Sequence, residues 1–336
     1  MSEETVVLGH GSGGLLTRDF IKQEIVTRFG DGPLAELPDG ARLPACRPDL
    51  VFTCDSYVVS PLIFPGGNIG DLAVHGTVND IAVSGGDPRW LSVGLILEEG
   101  LPLATVRTVL DSIAQSADAC GVTVATGDTK VVVRGQCDGM YINTAGIGEA
   151  LEGFELSARR VKPGDRILAS GFLGDHGIAV MAVRKGIAIH GAPASDTAPV
   201  HNLVRAIGEC APQVRFMRDP TRGGLAAVLS EVVAGQAFGL EVDEANLPFS
   251  PGARAVAELL GLDLLHVASE GRMIAICAPE AAPEILSKWR ALPEGAGAVD
   301  IGRAGEHDKG RVVLATTIGG RRLVGLPSGE LLPRIC

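Results

Sequence analysis

The sequence ends in Pro333-Arg334-Ile335-Cys336, and a cysteine at a chain end is the most exposed thiol a protein can present. Free exposed thiols oxidise and cross-link, so Cys336 reads as a nucleophile or carrier, against the plainer reading of a frayed tail. The other cysteines (Cys46, Cys54, Cys120, Cys137, Cys210 and Cys277) are widely spaced and form no CxxC, which fits neither a disulfide framework nor a zinc cage. Cys54, Cys120, Cys210 and Cys277 lie among apolar residues, as small core side chains do. A second group is acidic. Asp55 interrupts the apolar run 50–59, and Asp80 continues the series Ile69, Leu72, Ala73, Gly76, Thr77 on one helix stripe. Asp128 stands two residues from Lys130 in Thr126-Gly127-Asp128-Thr129-Lys130. Buried carboxylates need a cation or several donors. Asp55, Asp80 and Asp128 with Lys130 are a set of the sort that holds Mg²⁺-nucleotide, since Mg²⁺ takes one or two carboxylates plus phosphate oxygens. Glu270, beside Gly271 at a strand entrance, could be a positioned base or an ordinary turn acid.

The elements that must position these residues follow from pattern and punctuation. Residues 5–8 are a short strand, followed by Gly9-His10-Gly11-Ser12-Gly13-Gly14 and an amphipathic helix over 15–29. The glycine run matches G-x-G-x-x-G, but the expected second strand with an acidic end is replaced by the loop Gly30-Asp31-Gly32-Pro33. That weakens a dinucleotide site and leaves an anion-facing glycine loop or a plain turn. A strand over 49–61 and a helix over 68–84 capped by Asn68 carry Asp55 and Asp80. A strand is expected at 90–97, a helix at 102–120, and a strand at 122–125 that runs into a tight loop holding Asp128 and Lys130. Strands at 131–133 and 141–148 continue the sheet. Composition restarts at Lys162-Pro163-Gly164-Asp165. Beyond it come a strand at 166–170, the helix-opening Leu173-Gly174-Asp175-His176-Gly177, helices at 200–210, 225–234, 251–260 and 280–291, and strands at 273–278 and 312–317. The polar loop Asp219-Pro220-Thr221-Arg222-Gly223-Gly224 precedes the helix at 225. Pro327 and Pro333 then stiffen an arm with hinges at Gly319, Gly320 and Gly325.

The whole is a mixed α/β (α+β) chain, long enough at 336 residues for two domains, with 46% hydrophobic and only 4% aromatic residues. We divide it into an N-terminal domain (1–155), a C-terminal domain (156–318) and a tail (319–336). A net charge of −11 argues against a nucleic-acid surface. No apolar run reaches membrane-spanning length and the start is acidic, so the expected setting is soluble and cytoplasmic.

Asn79-Asp80, Thr126-Gly127-Asp128-Thr129-Lys130, Asp175-His176-Gly177 and Asp219-Pro220-Thr221-Arg222-Gly223-Gly224 resemble the PurM-like ATP-binding superfamily of aminoimidazole ribonucleotide synthetase, selenophosphate synthetase and thiamine-monophosphate kinase. With His10-Gly11-Ser12-Gly13-Gly14 at the start and Pro-Arg-Ile-Cys at the end, the chain resembles the HypE family of hydrogenase maturation factors. The resemblance implies a first domain whose mixed sheet pairs across a homodimer, with ATP near that interface, and a two-layer α/β second domain. It implies loading of Cys336 by the carbamoyltransferase HypF, ATP-dependent dehydration of the carbamoyl group to a thiocyanate, and transfer of cyanide to iron on the HypC–HypD scaffold. By matching position, Asp55, Asp80 and Asp128 would hold Mg²⁺-ATP, aided by Asp219 and Asn79. His10, Gly11, Ser12, Gly13, Gly14 and Gly127 would line the phosphates, Lys130 would assist the transferred phosphoryl group, and Glu270 would be the base. A small-molecule phosphoryl transferase of the same superfamily and a non-catalytic thiol carrier stay open.

Overall fold

The computed structural model describes residues 14–20, 22, 41–43, 49–187, 191–326 and 335–336. The expected first strand, the glycines Gly11 and Gly13, His10, Ser12 and the prolines of the arm lie outside them.

The first domain is a five-stranded sheet of β1 (Ala41–Leu43), β2 (Leu50–Tyr57), β5 (Gly86–Glu98), β6 (Thr123–Val132) and β7 (Met140–Ala150) in the order β1-β2-β7-β5-β6. Only β5 and β6 run parallel. From β5 the chain reaches its parallel partner β6 through α3 (Leu103–Cys120), as a crossover requires. One face is covered by α2 (Ile69–Val83), which packs on β2, β5 and β7. Asn68 caps α2 by accepting from Gly70 N, while its own N–H donates to Asp71 (2.9 Å), a capping box. Twelve of its fifteen residues are buried, so α2 is packed nearly all round, between the sheet, α3 and the second domain. Gly76 makes room for the Tyr57 hydroxyl, which a Cβ would strike. Between β2 and α2 lies the small hairpin β3 (Ile63–Phe64) and β4 (Gly67–Asn68).

The expected loop at 126–130 is instead continuous strand, since β6 runs through it in register with β5. Gly127 presses on the backbone of Val93, where a Cβ would collide.

The second domain holds seven strands: β8 (Arg166–Ala169), β9 (Val214–Arg218), β10 (Gly239–Asp243), β11 (Ile274–Cys277), β12 (Val299–Gly305), β13 (Val312–Ala315) and β14 (Arg321–Val324), ordered β14-β13-β10-β12-β8-β11-β9. β10 and β13 are parallel and the other neighbours antiparallel. Alternation sets two cores. Ile167, Ile274 and Ile276 face α6 (Gly224–Val233), and Leu168, Ala275 and Cys277 face α5 (His201–Ala206) and α8 (Ala282–Arg290). Helices thus lie against both faces of this sheet. The boundary of the tail also moves: β14 belongs to the sheet, so the arm begins after Val324 and not at residue 319.

Candidate active site

The thiol of Cys336 lies at the junction of the two domains. Ile335 is seated in the first domain's core, and Cys336 packs against the same cluster. The Val58 N–H donates to the carbonyl of Cys336 (3.1 Å), and His176 bonds the carbonyl of Ile335 (2.7 Å). The last two residues are therefore held through their own backbone, by a main-chain N–H of the first domain and a side chain of the second. The charged neighbours of the thiol are Glu270, Arg222, Asp55 and Asp219, and burial with those carboxylates pushes its pKa well above the ordinary thiol value.

Glycine geometry positions two of the elements here. α4 (Asp175–Arg184) starts just after Gly174, which has φ 81, and α6 starts just after Gly223 (φ 75), with Gly224 (φ 59) as its first residue. A Cβ on Gly224 would enter the carbonyls of Val267 and Leu265. The Asp219–Gly224 loop therefore folds tightly against the segment leading to Glu270 and delivers Arg222 beside the thiol. Arg222 is held firmly cationic by Cys336, Asp55, Asp80 and Glu270.

Glu270 is 1% exposed, and its Oε1 is buried without a hydrogen-bond partner. Desolvation, then Asp219, Asp196 and Asp55, raise its pKa far above the usual carboxylate range, against the pull of Arg222. Its backbone is fixed twice: its N–H donates to Asp196 Oδ1 (2.8 Å), and its carbonyl accepts from Asn79 (3.0 Å). Asp80 accepts from the Thr53 hydroxyl (2.8 Å), and Asp55 accepts from Ser56 N (2.7 Å). Both act on Arg222 and on buried Tyr57.

Two expectations change. Asn79 was expected to aid nucleotide binding, but both its amide hydrogens are used on the carbonyls of Ala198 and Glu270, and its oxygen accepts from Val200 N (2.7 Å). It clamps one domain to the other. Asp128 was expected to hold Mg²⁺-ATP with Asp55 and Asp80, but within one chain it stands apart from them. It lies on β6, three strands from β2, which is about 14 Å at normal strand spacing. Its carboxylate pairs with Lys130 (3.1 Å), and both side chains are some two-thirds exposed. Among the described residues of one chain, no cluster of three or more acids, histidines or cysteines is close enough to hold an ion. Gly14 is described, as a φ 88 residue ahead of α1 (Leu15–Phe20).

The sequence reading missed Arg222, Asp196 and His176 as site residues, although the loops holding Arg222 and His176 were singled out. Asp196 gave no signal. It sits in a stretch outside any helix or strand, and only the fold brings it to Glu270.

Residues 39–150 match the family described as AIR synthase related protein, N-terminal domain, and residues 162–315 its C-terminal domain. The chain is 48% identical over 332 residues to the carbamoyl dehydratase HypE of Bradyrhizobium diazoefficiens, covering 98% of this chain and 96% of that protein. It is 44% identical to carbamoyl dehydratase HypE of Escherichia coli, covering 98% and 99%. A solved hydrogenase maturation protein HypE in complex with ATP superposes with a TM-score of 0.83 at 41% identity, over 99% of this chain and 100% of that one. A chain of a HypE–HypF complex superposes with a TM-score of 0.87 at 36% identity, over 92% and 99%. With both AIR synthase-related domains in place and these identities over nearly its whole length, the chain belongs to the HypE family of carbamoyl dehydratases of hydrogenase maturation.

Proposed function

We propose that this chain uses ATP to dehydrate a carbamoyl group on its own Cys336 to a thiocyanate, supplying the cyanide ligand for the iron of a nickel–iron hydrogenase. The observation that carries the reading is the docked Cys336 thiol with Glu270 and Arg222 as charged neighbours. An amide oxygen is a poor leaving group, so it must first be activated. The carbamoyl oxygen attacks the terminal phosphorus of ATP, ADP leaves, and one N–H proton passes to Glu270. The C–O bond then breaks with phosphate departing, the second N–H proton leaves with it, and the C≡N bond closes. The oxygen ends in phosphate and no redox partner is needed.

Glu270 suits the first proton because a buried carboxylate with a raised pKa is a strong base once ionised. Arg222 offsets charge gathered on the phosphoryl oxygens. The donor set fits a hard cation: Asp55, Asp80 and Glu270 all act on the Arg222 guanidinium, and Asp219 adds a further negative charge beside Glu270. Asp55 and Asp80 would hold a Mg²⁺ that neutralises the phosphates, one or two carboxylates with phosphate oxygens being the usual set for that ion.

A homodimer would explain Asp128 and Lys130. The uncovered face of the first sheet exposes Phe52, Trp90 and Ile96, and its edge β6 exposes Val124 and Val131. A second copy of the sheet would cover them, and Asp128 and Lys130 contributed across that interface would complete the nucleotide site. A HypF-like carbamoyltransferase would load Cys336, and a HypC–HypD-like scaffold would receive the cyanide. A cytoplasmic setting agrees with the free state of all six described cysteines and with the absence, among the described residues, of a helix long and apolar enough to cross a membrane.

Mass spectrometry of the C-terminal peptide tests the reading. After loading by a carbamoyltransferase, Mg²⁺-ATP should convert the carbamoyl adduct to one lighter by a single water. An adduct that persists unchanged with ATP rules the dehydration out.

A further inference from the structure

We propose that His176 is a positioning residue: with Ser195 it latches the backbone carbonyl of Ile335 and so sets the register of Cys336 against Glu270. The proposal rests on the dehydration reading only for its rate measurement.

The argument begins with donors and acceptors. A carbonyl oxygen only accepts, so the 2.7 Å contact between His176 Nε2 and Ile335 O requires the proton on Nε2. The ring is fully buried, and burial lowers its pKa to about 4, so it is neutral and Nδ1 is a bare acceptor. Ser195 Oγ, 2.7 Å from Nδ1, must then donate to it. Ser195 Oγ in turn accepts from the N–H of Thr197 (3.1 Å). The chain Thr197 N–H to Ser195 to His176 to Ile335 C=O runs in one direction, and each member fixes the next. Phe64 holds the ring edge-on, with centroids 5.3 Å apart and planes at 86°.

The same short stretch also fixes the base. Ser195 is bound through its N–H to Pro65 O (2.7 Å), the next residue Asp196 accepts from Glu270 N, and the carbonyl of Ala198 accepts from Asn79. Residues 195–198 thus hold the tail with one side chain and the base with the next. Neither contact touches the thiol. The latch reads backbone, so it accepts the tail whatever cargo the sulfur carries, and without that carbonyl the buried Nε2–H has lost its acceptor.

The test uses the full-length protein and needs no turnover. Alkylation of Cys336 by iodoacetamide is followed on the C-terminal peptide, with circular dichroism to confirm the fold. His176→Ala should speed alkylation about tenfold, the loss expected for one buried hydrogen bond, and Ser195→Ala a few-fold. His176→Gln keeps an amide N–H for the carbonyl and should stay near the parent rate. Ile335→Ala lies in the arm itself and should speed alkylation whether or not His176→Ala folds. In carbamoyl-loaded protein, His176→Ala should lower the single-turnover rate and His176→Gln restore most of it. Equal alkylation of Cys336 in the parent, Ser195→Ala and Ile335→Ala proteins overturns the latch. Glu270→Gln should stop dehydration while leaving alkylation slow, which separates a failed latch from a failed reaction.

Discussion

Asp128 and Glu270 are both acids from the same kind of sequence setting, a carboxylate beside glycine near a strand. The fold makes them opposites. Asp128 lies on β6, where nine of ten residues are exposed, and its bond to Lys130 lowers its pKa. Glu270 leads into β11, where every residue is buried, and desolvation raises its pKa. An exposed ion pair contributes little by itself, because water screens it. A buried carboxyl with an unpaired oxygen is costly, and such a cost is kept where chemistry uses it. Similar local sequence thus leaves one acid in solvent and the other in the interior.

The largest effect expected is on the hidden acid. Glu270→Gln should cut single-turnover dehydration by about 10²–10⁴, the usual worth of a general base. A rapid-quench rate equal to the parent would move the base elsewhere. Next comes the clamp between the domains. Asn79→Ala leaves the carbonyls of Ala198 and Glu270 and the N–H of Val200 without their partner, and should lower stability by about 3 kcal/mol in urea unfolding. A change under about 0.5 kcal/mol would mean that the domains do not depend on it.

Docking of the tail should also depend on pH. The docked thiol has a raised pKa, so the docked state holds its proton more tightly than the free tail does. Docking is then at full strength below the ordinary thiol pKa of about 8.5 and weakens up to about tenfold per pH unit above it. Hydrogen exchange at Cys336 should show this between pH 8 and 10, and Cys336→Ser should abolish the trend. The smallest effect concerns the exposed acid: Asp128→Asn should leave the urea unfolding midpoint essentially unchanged. If its role lies across a dimer, mixing Asp128→Asn chains with Glu270→Gln chains should recover part of the activity that neither has alone. No recovery in a mixed dimer would confine Asp128 to its own chain.

Much of this contrast was legible before the fold. The cap at Asn68, the helix carrying Asp80 and the strand carrying Asp55 follow from local pattern, because capping and periodicity act over a few residues. Glu270 stood out by its place at a strand entrance. The loop expected at 126–130 was not a loop, because glycine and aspartate are poor strand formers and tertiary pairing with β5 overrode them. The distance between Asp55 and Asp128 is set by strand order, which is long-range. Asn79 and Asp196 act through backbone partners far away in sequence, 119 and 191 positions for the two Asn79 amide bonds and 74 for Asp196, so no local signal could reveal them.

β14 fastens the chain to the second sheet at Val324, and the latch holds it again at Ile335. Ten residues separate those points in the sequence. A tether of that length keeps its end at an effective concentration on the order of millimolar. The sulfur of a given chain is therefore never diluted from its own pocket, and a free thiol or amide in solution would have to reach that level before it could compete for the pocket.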